Sequence, residues 1–326
     1  MKVLDGIKAR NFLVIGRVGM DLCPDPPGVR TRDASSMMVS MGGSSANIAA
    51  GLVKLGCKAA LVTKVSNDAV GWYCLNQLDH YGVDRTHVKA ITGECRTSLA
   101  VYESRVEEHQ SVIYRNNAAD FQMGVSDVEA VDYAAFGALI TAGTVFAAEP
   151  SRSAAFRAFE LARAAGLPVI FDIDYRPYSW PSADVAADVL SRAGAMADLI
   201  VGNDEEFGFM AGGLDKGLAK ARTLAATSAV IVVYKMGPKG AVAFADGREL
   251  RTGIYPVTAL KPTGAGDSFM AGLLASLSEG QGLEDAVLRG SACAAIAVSR
   301  PGCAPAMPTT AELEDFLSTH SGPMPV

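Results

Sequence analysis

Residues 199–237 read LIVGNDEEFGFMAGGLDKGLAKARTLAATSAVIVVYKMG. The two ends, LIVG (199–202) and AVIVVYKMG (229–237), are apolar, rich in β-branched residues and closed by Gly. They read as buried strands. Helix candidates lie between them, at 204–211 and 215–226. A strand, a helical crossover and a second buried strand make a parallel βαβ unit. The alternation recurs along the chain. FLVIG (12–16), AALVTKV (59–65), ALITAG (138–143) and PVIFDID (168–174) are further strands. Further helices are expected at 44–55, 69–80 and 151–165. Two more follow one another at 264–279 and 283–299, and AELEDFL (311–317) forms a last short one. The prediction is an α/β protein with a three-layer, doubly wound, mostly parallel sheet.

Two stretches interrupt this rhythm. Residues 17–41 carry Pro, Gly and Asp clusters before the short run SSMMVSM, and 96–116 alternates like a hairpin with a polar turn near Glu107–Gln110. Neither has a helix to seat it in a parallel sheet. They are read as a small β-sheet lid, against the simpler alternative of surface hairpins. The length of 326 residues fits one large α/β domain with such an appendage, and no linker divides it. Residues 1–326 are therefore taken as a single domain with a lid from about 17–41 and 96–116.

Composition narrows the function classes. Hydrophobic residues at 49% against 20% charged describe a chain able to bury a full core. The net charge of −6 argues against a general nucleic-acid or anionic-membrane surface. Six Cys and four His show no zinc spacing, no CxxC and no HExxH. The five-residue apolar run near the N-terminus is short for a signal peptide, and the 15-residue stretch 134–148 is short for a membrane span. A soluble, cytoplasmic protein is expected.

Chemistry is concentrated in KPTGAGDSFMAGLLASL, residues 261–277. Gly264, Ala265 and Gly266 precede a strongly apolar helix, so a phosphate can approach bare N–H groups at a positive dipole end. Asp267 falls in the first turn, placed to take a proton from a hydroxyl attacking a γ-phosphate. The plainer reading is a Gly-rich turn with an acidic helix start. No GxxxxGK[ST] occurs, which excludes P-loop chemistry, and GAGDSF lacks the third Gly of a dinucleotide fingerprint. A second segment, MGGSSANIAAGLVKLG (41–56), offers Gly42 and Gly43 for close backbone approach and Asn47 as an amide for hydroxyl groups.

The pair GGSSANIA and PTGAGDSF resembles the PfkB/ribokinase family of sugar kinases. The resemblance spans essentially the whole chain. It implies a ribokinase-like α/β domain with a β lid, and MgATP-dependent phosphorylation of a hydroxymethyl group. It also implies roles residue by residue. Asp267 matches the general base, and Gly264, Ala265 and Gly266 the anion hole. Asp21, Gly42, Gly43 and Asn47 match sugar contacts. Lys235, Gly237 and Thr263 match the nucleotide-lining segments. Asn203 and Glu206, in VGNDEEF, match an NxxE element that organises magnesium indirectly; Asn-x-x-Glu after a strand is equally a helix capping box.

For the substrate, DIDYRPYSW (172–180), YRNNAAD (114–120) and AVSRPGCAPAMPT (297–309) resemble the kinases of 5-dehydro-2-deoxygluconate from inositol catabolism. That likeness implies that Arg115 and Arg176 receive a sugar-acid carboxylate. Alternatively, Arg176 forms a structural salt bridge with Asp172 or Asp174, and Arg115 is a solvated lid residue. Arg17 and Arg32 are weaker candidates without motif support. Lys261 stands where most of the family carries Asp beside a monovalent-cation site. Its ammonium is expected to replace the cation, making potassium activation weak or absent, unless it merely faces solvent. Rivals are a 2-keto-3-deoxygluconate kinase, a fructokinase, and a sugar-acid-binding regulator without turnover. ATP and a small sugar acid are the expected partners, with no nucleic acid or membrane and a possible homodimer through the lid.

Overall fold

A computed structural model describes residues 2–324. Its strands are β1 (Asn11–Ile15), β2 (Gly19–Pro24), β3 (Met37–Gly42), β4 (Lys58–Ser66), β5 (Val88–Ile91), β6 (Leu99–Tyr102), β7 (Ser111–Tyr114), β8 (Ala138–Ala142), β9 (Val169–Asp172), β10 (Leu199–Asn203), β11 (Ile231–Lys235), β12 (Ala241–Ala245) and β13 (Arg248–Thr252). Its helices are α1 (Lys2–Ile7), α2 (Ser44–Lys54), α3 (Ala69–Tyr81), α4 (Val125–Glu129), α5 (Ser151–Ala164), α6 (Ala183–Met196), α7 (Asp204–Ala211), α8 (Gly217–Thr227), α9 (Ala265–Ser278), α10 (Leu283–Val298) and α11 (Thr310–Thr319).

The large sheet runs β13-β12-β11-β10-β9-β8-β1-β4-β5. It is parallel from β11 to β5 and antiparallel only at β12 and β13. Its strands are apolar on both faces because both faces are covered. Along β1, Phe12 and Val14 join the core under α2, α9 and α10, while Leu13 and Ile15 join the core under α5 and α6. Burying each such side chain stabilises by about 1.5–3 kcal/mol. The expected doubly wound sheet is therefore present.

The short elements α1, α4 and β5 lie outside the sequence reading, and so do two larger features. Helix α6 was not anticipated, because its Ala-rich face buries only small side chains (Ala186, Ala193, Gly194) beside Val189 and Leu190. The antiparallel β12–β13 hairpin was not anticipated either. Its turn is Asp246-Gly247, with φ of +51° and +70°, the pair of left-handed residues that a tight hairpin turn requires.

The interrupting stretches form a separate four-stranded sheet, β3-β2-β6-β7. Strand alternation gives its two faces different characters. Asp21 and Cys23 are buried on one face. The other carries a register-aligned row, Val39–Leu22–Val101–Val112, with Met20–Leu99–Tyr114 beside it. Val39, Val112 and Tyr114 in that face are exposed. Among the described residues, no helix is long and apolar enough to cross a membrane.

Candidate active site

Five neighbouring strands bring side chains to one edge of the large sheet. β1 ends just before Arg17, β8 before Thr144 and β9 at Asp172, while β10 ends at Asn203 and β11 at Lys235. In an open parallel sheet the carboxyl ends of the strands are where a ligand crevice forms.

Two helix N-termini face the same edge. Asn47, in the first turn of α2, donates from Nδ2 to Asp267 Oδ2 at 2.8 Å, in the first turn of α9. One turn further on, a Cβ added to Gly51 would come within 2.7 Å of the Ala271 Cβ. The two helices therefore run side by side in one direction, and their positive ends converge. Gly264 precedes α9 at φ +83°, a left-handed conformation that a residue with a Cβ tolerates poorly. It lets Gly264, Ala265 and Gly266 present their backbone at the helix mouth. The Lys235 ammonium lies 3.4 Å from where a Cβ on Gly266 would sit, so a cation borders the same mouth. Gly237 follows it in open space, and Thr263 is partly exposed.

Asp267 is only partly covered, so a substrate can reach it. Its carboxyl is pushed up to about 6, first by burial and then by the negative charge of Asp174, against the Asn47 hydrogen bond and the charges of Arg176 and Lys235. Burial likewise raises Asp172, opposed by Lys235 and reinforced by Glu206, Asp174 and Asp267. Asp174 goes the other way. Burial pushes it up, but Arg176, the Ser44 hydroxyl and the charges of Arg17 and Arg115 outweigh that and hold it below the usual range. The separation of these values is what allows one carboxylate to remain ionised while its neighbour titrates near neutrality.

Asn203 and Glu206 form a reciprocal capping box. Asn203 Oδ1 accepts from the Glu206 N–H at 2.8 Å, and Glu206 Oε2 accepts from the Asn203 N–H at 2.7 Å. Glu206 is buried, and burial raises its carboxyl against the charges of Lys235 and Arg176. Among the described residues no three metal-ligating side chains converge. That donor set suits a divalent ion that arrives on phosphates and keeps its waters.

Asp21 projects from β2 beside Gly42, where any Cβ would overlap its carboxylate. Its carboxyl is pushed up to about 6 by burial, against Arg17, Cys303 and Lys261. Asp21 Oδ1 and Asn47 Oδ1 are both buried without a partner among the described residues. Two orphaned acceptors, one of them on the Asn47 that holds Asp267, suit the donors of a polyhydroxy ligand.

Lys261 does not face solvent. It is completely buried and donates to the Thr263 carbonyl at 2.5 Å and the Ala297 carbonyl at 3.1 Å. Burial lowers its pKa, opposed by Cys303, Asp267 and Asp21.

The arginines differ. Arg176 is partly exposed and pairs with Asp174 at 2.7 Å, the salt-bridge alternative weighed from the sequence. Arg115 is buried rather than solvated. It is paired with Asp120, donates to the Thr144 carbonyl at 3.0 Å and stacks on Phe121. Arg32 is exposed beside Asp33, away from this cluster. A cleft of about 760 Å³ lies between the loops around Gly28–Asp33 and Ser104–Glu107 and Ala259–Leu260, lined by none of these site residues. The sequence reading gives Asp172 and Asp174 no role beyond partners for Arg176, and the structure buries both at the strand end. The available signal was the DID sequence at the end of a buried strand.

The sequence matches the pfkB family carbohydrate kinases over residues 9–310. The chain belongs to that family. Among curated relatives, a 5-dehydro-2-deoxygluconokinase of Photobacterium profundum is 36% identical, with 94% of this chain and 95% of the relative covered. One from Geobacillus kaustophilus is 34% identical, covering 97% and 96%. A solved fructokinase from Vibrio cholerae, a double mutant with fructose, ADP and potassium bound, superposes with a TM-score of 0.83 at 27% identity, covering 94% of this chain and 98% of that one. The kinase is thus a ribokinase-like sugar phosphotransferase, and its family implies ATP as donor with a divalent metal.

Proposed function

We propose that the kinase transfers the γ-phosphoryl group of ATP to the 6-hydroxyl of 5-dehydro-2-deoxy-D-gluconate. The observation that carries the reaction is the Asn47–Asp267 pair at two converging helix N-termini. Asp267 takes the hydroxyl proton, which general-base catalysis rewards by roughly 10²–10⁴ in rate. The amides of Gly264, Ala265 and Gly266 receive charge developing on the migrating phosphoryl group. Asp21, Gly42, Gly43 and Asn47 hold the sugar hydroxyls, and the orphaned Oδ1 atoms of Asp21 and Asn47 support this. Lys235, Gly237 and Thr263 line the nucleotide. Mg²⁺, carried in by ATP, would be organised through water by Asn203 and Glu206 and would neutralise phosphate charge.

The sugar acid follows from the named relatives and from the three arginines that act on Asp174. Arg176 and the unused N–H groups of Arg115 provide the carboxylate end, since planar guanidinium matches carboxylate geometry. Lys261 takes the place of a monovalent cation, supported by its seat on two carbonyls. The four-stranded sheet closes over the site and excludes water. Its exposed apolar outer face supports pairing with the lid of a second copy, which sedimentation would detect as a dimer.

An ADP-release assay on 5-dehydro-2-deoxygluconate, 2-keto-3-deoxygluconate and fructose tests the assignment. The highest kcat/KM is expected for the first. Preference for fructose would favour the reading suggested by the fructokinase likeness, and ligand binding without ADP release would favour a non-catalytic regulator.

A further inference from the structure

Three arginines, Arg17, Arg115 and Arg176, act on the buried Asp174, and two already have carboxylate partners. Arg115 pairs with Asp120, and Arg176 with Asp174. The third, Arg17, is only 7% exposed. Among the described residues its side chain makes one hydrogen bond, from Nη1 to Ser98 Oγ at 2.9 Å, and no ion pair. A guanidinium carries five N–H donors. The charges of Asp21 and Asp174 reach it through space, but neither carboxylate is in contact, so most of the hydrogen-bonding capacity of a buried cation is left unspent, which is costly. Among the described residues Nε and Nη2 have no hydrogen-bond partner, and they are not fully sealed from solvent.

The backbone holds Arg17 at the point where the lid leaves the large sheet. Its carbonyl accepts from the Ala46 N–H of α2 at 3.2 Å. Its fork lies against Gly19, where an added Cβ would come within 2.9 Å of Nη1. Asp21 projects from the same strand two residues on. The charge of Arg17 also reaches Asp174, at the strand ends, and Tyr178.

We propose that Arg17 is a specificity-determining substrate residue whose free guanidinium fork receives the carboxylate of a sugar acid. This rests on the sugar-acid reading above. Ser98 is the positioning residue, fixing one Nη so that the remaining donors keep their orientation.

The test compares kcat/KM for 5-dehydro-2-deoxygluconate and for fructose in the wild type, Arg17→Met, Arg17→Lys and Ser98→Ala. The acid-to-fructose ratio should fall about 10²-fold in Arg17→Met, the size expected for truncating one side of a buried charged hydrogen-bonded pair. The loss should lie mainly in KM. Arg17→Lys should recover part of the ratio, and Ser98→Ala should lower it by a smaller factor. In thermal-shift measurements Arg17→Met should keep its stabilisation by MgATP and lose that by the sugar acid. A wild type that prefers fructose would overturn the sugar-acid reading, and this proposal with it. A wild-type preference for the acid that survives in Arg17→Met would overturn the role of Arg17 alone. Equal losses on both substrates, with both ligand shifts abolished, would reduce Arg17 to a structural residue, provided Arg17→Lys behaves likewise.

Discussion

Two buried cations act on Asp21, and the fold treats them differently. Lys261 is closed off on two backbone carbonyls. Arg17 is nearly as buried but keeps most of its donors free. A satisfied cation is a permanent part of the scaffold and sets a local field. An unsatisfied one costs stability until an anion arrives, and that cost becomes selectivity for ligands that carry the anion. The same contrast holds among the acids. Asp174 is held ionised by its partners, whereas Asp267 and Asp21 are lifted to about 6 by burial.

The largest effect expected is that of Asp267→Asn. Its kcat should fall by roughly 10²–10⁴, while titrations show sugar and MgATP still bound. Loss of binding in step with turnover would instead make residue 267 a structural acid. The sign of the pH dependence follows from the raised carboxyls. The base works only when ionised, so kcat/KM should rise as pH passes through about 6 and level off above it. Stability runs the opposite way. A carboxyl lifted from 3.8 to about 6 in the fold binds its proton more tightly there than in the unfolded chain. The fold therefore loses stability as pH rises through that window. Asp267→Asn should then melt at a higher temperature than wild type at pH 7 in the absence of ligands.

Smaller effects separate recognition from chemistry. Gly42→Ala would drive a Cβ into the Asp21 carboxylate. The sugar KM should rise about tenfold, the worth of a hydrogen bond to a charged group, with kcat less affected. A loss confined to kcat would contradict that division. Smallest of all is the wild-type response to potassium, expected to be no greater than that to sodium at equal ionic strength. Lys261→Ala should uncover the two carbonyls and make the rate depend on potassium. Strong activation of the wild type would show that Lys261 does not stand in for the ion.

Local patterns carried much of this arrangement. Buried strands and capped helices gave the doubly wound sheet, and GAGD at a helix start located Asp267. Helix α6 was missed because small Ala and Gly positions make a weak apolar stripe. The β12–β13 hairpin was missed although Asp246-Gly247 signals a tight turn. The cations were harder. Nothing local to Lys261 says that Ala297, on α10, will supply its second carbonyl, and Arg17 has no motif around it. Their environments are tertiary, built from segments far apart in the chain. Arg115 is a mixed case: its partner Asp120 lies five residues on in the same segment, but the Thr144 carbonyl that it also binds comes from the end of a different strand.

The most direct measurement is a crystal structure with 5-dehydro-2-deoxygluconate and a non-hydrolysable ATP analogue bound together. The account expects the terminal hydroxyl within hydrogen-bond reach of Asp267, about 2.6–3.2 Å, with the carboxylate on the free donors of Arg17. A sugar acid bound in reverse, or one whose hydroxyl lies far from Asp267, would contradict it.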